Sequence, residues 1–213
     1  MPRVEISCAI HTRILLAMFE PVTLITARLR VRPLEQTDAR AFFAIWSDAE
    51  AMRYFSFAPM QHAHEAEARV EKVLQSAANG EVFVSAIETL DSGEVIGGCD
   101  LFHLNSQCRR AEIGFSLQRR HWGKGYMSEA AAAVVDYAFD IAKLHRLEAD
   151  IDPRNLASAR VLERLDFVRE GLLRERWIVG DDISDSALYG RLRRDWRAGL
   201  KYAQPAFTEG SRS

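Results

Sequence analysis

The chain has 213 residues, of which 48% are hydrophobic and 27% charged, an ordinary composition for one well-packed globular domain. A formal net charge of -2 and a pI of about 6.3 give no general attraction to nucleic acid or to a membrane, so neither is expected as a partner. Three cysteines, Cys8, Cys99 and Cys108, suit neither a disulfide framework nor a metal site and favour a reducing, cytoplasmic location.

The first 21 residues predict a loose N-terminal extension. Its apolar run, Ile14 to Met18, is too short to span a membrane and lacks a signal-peptide core. Met18 is an alternative translation start to Met1. The packed domain is expected over residues 22–197, followed by a C-terminal tail over residues 198–213.

Hydrophobic periodicity predicts strands and helices in a mixed order. Residues 24–34 alternate apolar and basic side chains as a half-buried strand does, and a helix follows Asp38. A second helix is predicted at 64–78, a β-hairpin at 81–104 and a third strand at 109–117. Beyond a long helix come a strand at 146–152, a helix at 155–165 and strands at 167–179 and 184–192. This order predicts an α/β fold with a mostly antiparallel sheet.

The segment RRHWGKGYMSEAAAAVVDYAF, residues 119–139, reads as a loop that feeds the N-terminus of a long helix. Gly123 and Gly125 let the backbone approach a bulky anion, and Arg119, Arg120 and Lys124 supply positive charge. With the unpaired N–H groups of the first helical turn, these features favour a phosphate or pyrophosphate. The spacing matches neither a P-loop nor a Rossmann fingerprint. By itself, a Gly-x-Gly before a helix is more often a packing turn than an anion site.

The motifs around this loop resemble those of the GCN5-related N-acetyltransferases (GNAT), and more narrowly those of the RimJ/RimL type that acetylates ribosomal-protein N-termini. The resemblance covers roughly residues 22–197. The matching motifs are Thr26-x-Arg28-Leu29-Arg30-Val31-Arg32, Met52-Arg53-Tyr54, Ala111-Glu112-Ile113-Gly114-Phe115, Arg120-x-x-Gly123-x-Gly125, and Asn155-x-x-Ser158 ahead of Phe167.

The resemblance implies a single GNAT-like domain in which acetyl-CoA binds between two strands that splay apart, at 111–117 and 146–152. The pantetheine arm would pair with the first strand, and the Leu117 N–H would face the thioester oxygen. Asn155 would contact CoA, although its alternative role as a plain helix N-cap is equally open. The implied cofactor-binding residues are Phe115, Ser116, Leu117, Arg120, Trp122, Gly123, Lys124, Gly125, Tyr126, Met127 and Asn155.

Three residues are candidates for catalysis. Glu112 and Asp150 are the carboxylates best placed to accept the amine proton. The alternatives are a salt bridge from Glu112 to Arg109 or Arg110, and one from Asp150 to Arg154. Ser158 stands where the RimJ/RimL type has a serine near the leaving thiolate. Its alternative is a hydroxyl that bonds back to a carbonyl one turn earlier.

Two positions depart from the family pattern. Leu162 occupies the position at which many GNAT enzymes have a tyrosine acid, so that role cannot be filled there. Asp166 replaces the glycine that usually precedes Phe167, and Asp tolerates the left-handed turn better than most residues. The histidines have no carboxylate or cysteine at ligand spacing, so no metal is expected.

The sequence therefore predicts a cytoplasmic acetyl-CoA-dependent N-acetyltransferase, monomeric or homodimeric, that works by direct attack in a ternary complex. The aromatic-rich stretch at 46–64 is expected to border the acceptor groove. The preferred acceptor is a protein or peptide N-terminal α-amine. A small-molecule amine is the second candidate, and a non-catalytic CoA-binding module is the third.

Overall fold

The computed structural model describes residues 19–196, and in this range eight strands form one sheet flanked by helices. The strands are β1 (Leu24–Ile25), β2 (Leu29–Pro33), β3 (Ser85–Thr89), β4 (Val95–Asn105), β5 (Arg110–Leu117), β6 (Arg146–Ile151), β7 (Val168–Val179) and β8 (Asp182–Leu192). The α-helices are α1 (Ala39–Trp46), α2 (Ala63–Ala78), α3 (Tyr126–Asp136) and α4 (Leu156–Arg164), and a π-helical turn (Tyr137–Ile141) extends α3.

The sheet has the order β1-β2-β3-β4-β5-β6-β8-β7. Neighbouring strands are antiparallel except β5 and β6, which run parallel. A parallel pair needs a crossover connection, and α3 supplies it between these two strands. The predicted fold class, a single GNAT-like α/β domain with a mostly antiparallel sheet, is confirmed.

The predicted continuous strand at 24–34 is wrong, because the structure breaks it into β1 and β2. The Thr26 N–H donates to the Leu29 carbonyl at 2.9 Å, and the Leu29 N–H donates to the Thr26 hydroxyl at 3.1 Å, which forms a turn. The same hydroxyl lies 2.6 Å from a carboxylate oxygen of Glu129 on α3. This tertiary contact overrides the alternating pattern, and nothing local in the strand indicates it.

Two hydrophobic cores lie on opposite faces of the sheet. On one face, α3 contributes an almost continuous run of buried alanines and valines. On the other face, α1 and α2 pack over the first half of the sheet, where Phe42 and Val70 are buried. Because side chains alternate along β6, Leu147 and Ala149 point towards α3, whereas Glu148 and Asp150 point to the other face.

The packed structure begins inside the predicted N-terminal extension. Phe19 is buried in the core beside α3, and the N–H of Glu20 donates to the Tyr137 hydroxyl at 3.1 Å. The rest of the extension, residues 1–18, lies outside the described residues, and so does the predicted tail over 198–213.

Asp100 on β4 is a half-buried residue whose carboxylate accepts a hydrogen bond from the Ser85 N–H. Burial raises its pKa to about 7, and the N–H of Ser85, 2.9 Å away, and the charge of Arg69 oppose that rise only in part. The folded chain therefore keeps this proton at pH values where the unfolded chain, with an ordinary pKa of 3.8, has lost it. The contribution of Asp100 to the free energy of unfolding must fall as the pH rises from about 4 to about 7.

Replacing this carboxylate by the neutral side chain of Asp100→Asn is expected to stabilise the protein by up to about 4 kcal/mol at pH 8 and by less than half as much at pH 5. Urea unfolding at the two pH values measures the difference. Asp181→Asn, at an exposed turn, is the control and should behave like wild type at both. An equal effect of Asp100→Asn at pH 5 and pH 8 would contradict the raised pKa.

Candidate active site

A wedge opens between β5 and β6, as predicted for the splayed strands. The two strands pair only over their first residues, and the last pair joins Glu112 to Glu148. Beyond it, residues 113–117 of β5 have β4 on one side and no strand on the other. The Gln118 N–H donates to β4, whereas the Leu117 carbonyl accepts a bond from the Trp122 side chain at 2.8 Å. By alternation, the N–H groups of Ile113, Phe115 and Leu117 point into the wedge.

The glycine loop connects this wedge to α3. It starts with a short turn, Arg119–His121, and continues through Gly123 and Gly125, whose φ angles are +73° and +80°. Gly125 is the N-cap of α3 and has no side chain to bond the first-turn N–H groups. A Cβ at Gly123 would meet nothing within 4 Å, so open space lies against the backbone there. The loop therefore presents unpaired N–H groups beside free volume, which suits a large anion.

The basic side chains of the loop have different environments. Arg119 bonds Asp48 at 2.9 Å, and Arg120 pairs with Glu94. Lys124 is exposed and has no ion-pair partner in residues 19–196. Lys124 is thus the loop cation that remains available to a ligand.

Arg28 is a further cation at this loop, and its place in a sequence motif does not predict this position. Its guanidinium donates to the Lys124 carbonyl at 3.0 Å and lies 4.6 Å from the centre of the Tyr126 ring. It also bonds Glu129, in the first turn of α3, at 2.7 Å. Arg28 therefore ties β2 to the glycine loop, but the sequence offers no signal for this contact beyond one more arginine in an alternating strand.

Glu129 holds this arrangement together, because its carboxylate accepts bonds from the Thr26 hydroxyl and from both the backbone and side chain of Arg28. Burial alone would raise the pKa of Glu129, but these hydrogen bonds and the Arg28 charge outweigh it and leave the pKa below its ordinary 4.5. The resulting stabilisation is present above pH 4.5 and is lost as the pH falls through the lower folded-state pKa.

Glu129→Gln is expected to lower the free energy of unfolding by about 1–3 kcal/mol at pH 7, because it removes charge-assisted hydrogen bonds. The difference from wild type should shrink below pH 4.5, where the native carboxylate also becomes neutral. Chemical denaturation at pH 7 and pH 3.5 measures both values. Glu71→Gln, on an exposed face of α2, is the matched control. An equal loss of unfolding free energy in Glu71→Gln would show that the hydrogen bonds of Glu129 do not stabilise the fold.

Asn155 and Ser158 adopt the arrangement that a helix N-cap requires. The Asn155 side chain accepts the Ser158 N–H at 3.0 Å, so its capping role is formed at the start of α4. The Ser158 hydroxyl is half-buried, and the alternative bond back to a helix carbonyl is not formed. Within the part of the chain that the structure describes, this hydroxyl has no hydrogen-bond partner. It stays a predicted proton donor.

Glu112 lies at the point where the wedge opens, on the face away from α3. The predicted alternative, a salt bridge from Glu112 to Arg109 or Arg110, is wrong. The His103 imidazole is the partner, 3.1 Å away, and Arg110 pairs with Glu148 instead. A β-bulge after Phe102 gives His103 a φ of +50° and brings it to Glu112, a local irregularity that strand alternation cannot indicate.

Asp150 lies on the opposite side of the wedge, on the same face as Glu112. The predicted alternative, a salt bridge from Asp150 to Arg154, is wrong, because Arg154 bonds Asp152 and Asp182. Asp150 instead meets Arg176 through one oxygen at 3.4 Å. Its other oxygen, Oδ1, is buried and has no hydrogen-bond partner among residues 19–196. A buried carboxylate oxygen without a donor suits a role in accepting a proton or binding an amine.

The stretch at 46–64, predicted to border the acceptor groove, reaches the end of β6. The Tyr54 ring lies 5.9 Å from the Arg154 guanidinium, and Asp48 holds Arg119 of the glycine loop. Phe55 and Phe57 pack edge to face at 5.8 Å. This stretch, called the acceptor loop below, therefore spans from the glycine loop to the β7–β8 end of the wedge.

The two departures from the family pattern have clear structural outcomes. Leu162 is fully buried in the core, so the tyrosine position is occupied by packing. Asp166 adopts a φ of +57° after α4, the left-handed conformation expected there. In residues 19–196, no cluster of side chains suited to a metal is present, and no helix is long and apolar enough to cross a membrane.

The wedge, the glycine loop and the order of strands define the class of protein. The family model for the acetyltransferase (GNAT) domain matches residues 28–168. A protein of Bacillus licheniformis named "Uncharacterized N-acetyltransferase p20" is 34% identical over 174 residues, which are 82% of this chain and 98% of that protein. The crystal structure of a GNAT-family acetyltransferase from Bacillus anthracis superimposes with a TM-score of 0.73 at 25% identity, covering 81% of this chain and 99% of that one.

The chain belongs to the GNAT acetyltransferase family and is an N-acetyltransferase. More distant relatives have names that specify different acceptors. Spermidine N(1)-acetyltransferase of Escherichia coli (strain K12) is 26% identical over 71% of this chain and 78% of its own length. The putative ribosomal N-acetyltransferase YdaF of Bacillus subtilis (strain 168) is 32% identical over 50% of this chain and 58% of its own length.

Proposed function

We propose that the protein transfers the acetyl group of acetyl-CoA to the N-terminal α-amine of a protein or peptide, as a RimJ/RimL-type enzyme, by direct attack in a ternary complex. A small-molecule amine acetyltransferase is the second candidate, because one relative is named spermidine N(1)-acetyltransferase. The observation that favours the α-amine is the balance of charge at the mouth of the acceptor groove.

The wedge fits the elongated shape and the negative charge of acetyl-CoA, which supplies the activated acetyl group. The free edge of β5, from Phe115 to Leu117, would pair with the pantetheine amides. The open space at Gly123 and the N–H groups around Gly125 would take the pyrophosphate. The remaining residues proposed to line this path are Arg120, Trp122, Lys124, Tyr126, Met127 and Asn155.

The proposed chemistry needs a neutral amine, a proton acceptor and a donor for the leaving sulfur. The amine nitrogen forms a bond to the acetyl carbon, and the carbon–sulfur bond breaks. Glu112 or Asp150 accepts the amine proton, directly or through water. The Leu117 N–H donates to the thioester oxygen as negative charge develops there, and the Ser158 hydroxyl donates to the thiolate. The two cysteines in the described residues are Cys99, which is buried, and Cys108, which is exposed. Neither lies in a motif that would support a covalent acetyl-enzyme.

The charges of the acceptor groove favour an acceptor with a single positive charge. Three carboxylates lie at the β6 and β8 end of the groove: Arg154 pairs with Asp152 and Asp182, and Asp150 meets Arg176 through one oxygen and keeps only Oδ1 without a partner in the described chain. A polyamine carries several positive charges and needs carboxylates that are not already neutralised. A peptide N-terminus carries one positive charge. At pH 7 roughly a tenth of such α-amines are already neutral, whereas well under a thousandth of lysine amines are. The groove therefore suits a peptide better than a polycation.

A peptide pair tests this acceptor class. One peptide has a free α-amine and no lysine, and the other has the same sequence with a blocked N-terminus and one added lysine. With acetyl-CoA, we expect CoA release with the first peptide only, with the acetyl group located at its terminus by mass spectrometry. Spermidine is the third acceptor, and faster release with spermidine than with a panel of such N-terminal peptides would favour the small-molecule candidate instead.

A further inference from the structure

The acceptor loop is attached to both sides of the wedge. On the β5 side, the Asp48 carboxylate accepts a hydrogen bond from Arg119 Nε at 2.9 Å. On the β6 side, the Tyr54 ring lies 5.9 Å from the guanidinium of Arg154, which follows β6 closely. In the described part of the chain, no other ion pair or side-chain hydrogen bond joins the acceptor loop to the glycine loop. Asp48 and Arg119 are therefore the polar link between these two loops.

Asp48 also fixes the first turn of the acceptor loop. Its Oδ1 accepts the N–H groups of Glu50 and Ala51 at 3.0 Å and 3.2 Å, whereas its Oδ2 accepts the bond from Arg119. Burial alone would raise the pKa of Asp48, but these hydrogen bonds and the charge of Arg119 outweigh it and leave the pKa below its ordinary 3.8. The carboxylate is therefore ionised at pH 7 and holds the turn and the arginine at the same time.

Arg119 has hydrogen-bond donors left for a second partner. Its Nε bonds Asp48, while Nη1 and Nη2 have no partner among the residues that the structure describes, and the side chain is 61% exposed. The residue lies in the short turn that opens the glycine loop, just before Gly123. A guanidinium carries five N–H donors in one plane and can bind two oxyanions at once. Arg119 is thus able to hold Asp48 and a phosphate together.

We propose that Arg119 couples the two substrate sites, because one side of its guanidinium holds the acceptor loop through Asp48 and the other binds the pyrophosphate of acetyl-CoA. The proposal rests on the proposed path of acetyl-CoA along the glycine loop. Asp48 is then a positioning residue for the acceptor, since it acts through the first turn of the acceptor loop and does not touch the reacting atoms.

The coupling has an entropic origin. An exposed ion pair is weak, because holding two flexible side chains in one geometry costs conformational entropy. A phosphate that fixes Arg119 removes part of this cost from the pair with Asp48. Acetyl-CoA is therefore expected to order the first turn of the acceptor loop, so that the acceptor meets a loop already in place. Coupling of this kind is reciprocal, and an ordered acceptor loop strengthens acetyl-CoA binding by the same factor.

Amide hydrogen exchange at Glu50 and Ala51, measured without and with saturating acetyl-CoA, tests the coupling and needs no acceptor. In wild type, acetyl-CoA is expected to slow exchange at both positions by about fivefold or more. Asp48→Asn keeps an oxygen for both N–H groups but turns an uncharged amide towards Arg119. This variant is expected to bind acetyl-CoA without the slowing. A purely structural role of Asp48 would change exchange equally with and without acetyl-CoA.

Two further variants complete the comparison. Arg119→Lys keeps the positive charge on a single nitrogen, which lacks the planar fork for two partners, and is expected to bind acetyl-CoA but to lose most of the slowing. Asp140→Asn is the matched control, because it removes another exposed ion pair, the one with Lys143 at 3.5 Å. Its acceptor loop is expected to respond to acetyl-CoA as in wild type.

The affinity for acetyl-CoA, measured separately by titration, distinguishes the possible failures. Exchange that is unchanged or faster in wild type saturated with acetyl-CoA would overturn the coupling and leave the proposed function in place. Slowing that persists in Asp48→Asn would also overturn it and would show that filling of the wedge orders the acceptor loop without Arg119. A wild-type protein that does not bind acetyl-CoA would overturn both the coupling and the proposed function.

Discussion

Gly123→Asp is expected to weaken acetyl-CoA binding by about 100-fold or more while leaving the fold intact. A Cβ at this position meets nothing within 4 Å, and Asp tolerates a positive φ better than most residues, so the loop should accept the substitution. Its carboxylate would then stand where the pyrophosphate approaches the backbone. Like charges in contact cost several kcal/mol, which corresponds to two or more factors of ten in affinity.

Gly180→Asp is the matched control for this experiment. Gly180 also has a positive φ, +59°, and open space around its Cα, but it lies in the β7–β8 turn. Both variants carry the same backbone strain and the same added charge. Isothermal titration with acetyl-CoA should show near-wild-type affinity for Gly180→Asp and weak binding for Gly123→Asp. In thermal unfolding, acetyl-CoA should stabilise Gly180→Asp as much as wild type and Gly123→Asp much less. Equal affinity in both variants would mean that the glycine loop does not hold the pyrophosphate.

Ser158→Ala is expected to lower kcat by about ten- to a thousandfold and to leave acetyl-CoA affinity nearly unchanged. The hydroxyl is half-buried at the start of α4 and has no hydrogen-bond partner in the described chain, so it is available to the leaving thiolate. Loss of a positioned proton donor lowers the rate of the chemical step within this range. The backbone bond from Ser158 to Asn155 does not depend on the hydroxyl and should persist.

Two further variants separate this catalytic role from a structural one. Ser158→Cys keeps a proton donor at the site and should retain more activity than Ser158→Ala, although both remove the hydroxyl. Asn155→Asp keeps the N-cap, and its affinity for acetyl-CoA reports whether the amide itself contacts the cofactor. A folded Ser158→Ala protein with unchanged kcat would remove Ser158 from the mechanism and would assign the proton to water.

Much of the fold follows from the sequence because its periodic elements are long. The helix predicted to end at residue 78, the β-hairpin within 81–104 and the left-handed Asp166 follow from local signals, and each appears where it was predicted. The break between β1 and β2 was not predicted, because the turn at Thr26 depends on Glu129, about a hundred residues away. Local patterns carry no information about such a contact.

The candidate site was less predictable than the fold. The glycine loop and the wedge follow from motifs, but the partners of Glu112 and Asp150 do not. A β-bulge brings His103 to Glu112, and a bulge in β7 brings Arg176 to Asp150, and bulges leave little trace in a sequence. The raised pKa of Asp100 is likewise not predictable from the sequence, because it comes from burial in the folded chain and not from any motif.

Amide hydrogen exchange on β5 tests most directly whether acetyl-CoA lies between β5 and β6. The N–H groups of Ile113, Phe115 and Leu117 point into the wedge, and the residues between them bond β4. Acetyl-CoA is expected to slow exchange strongly at those three positions and to change their neighbours Gly114 and Ser116 much less. Exchange that stays unchanged at all three positions in protein saturated with acetyl-CoA would contradict binding in the wedge.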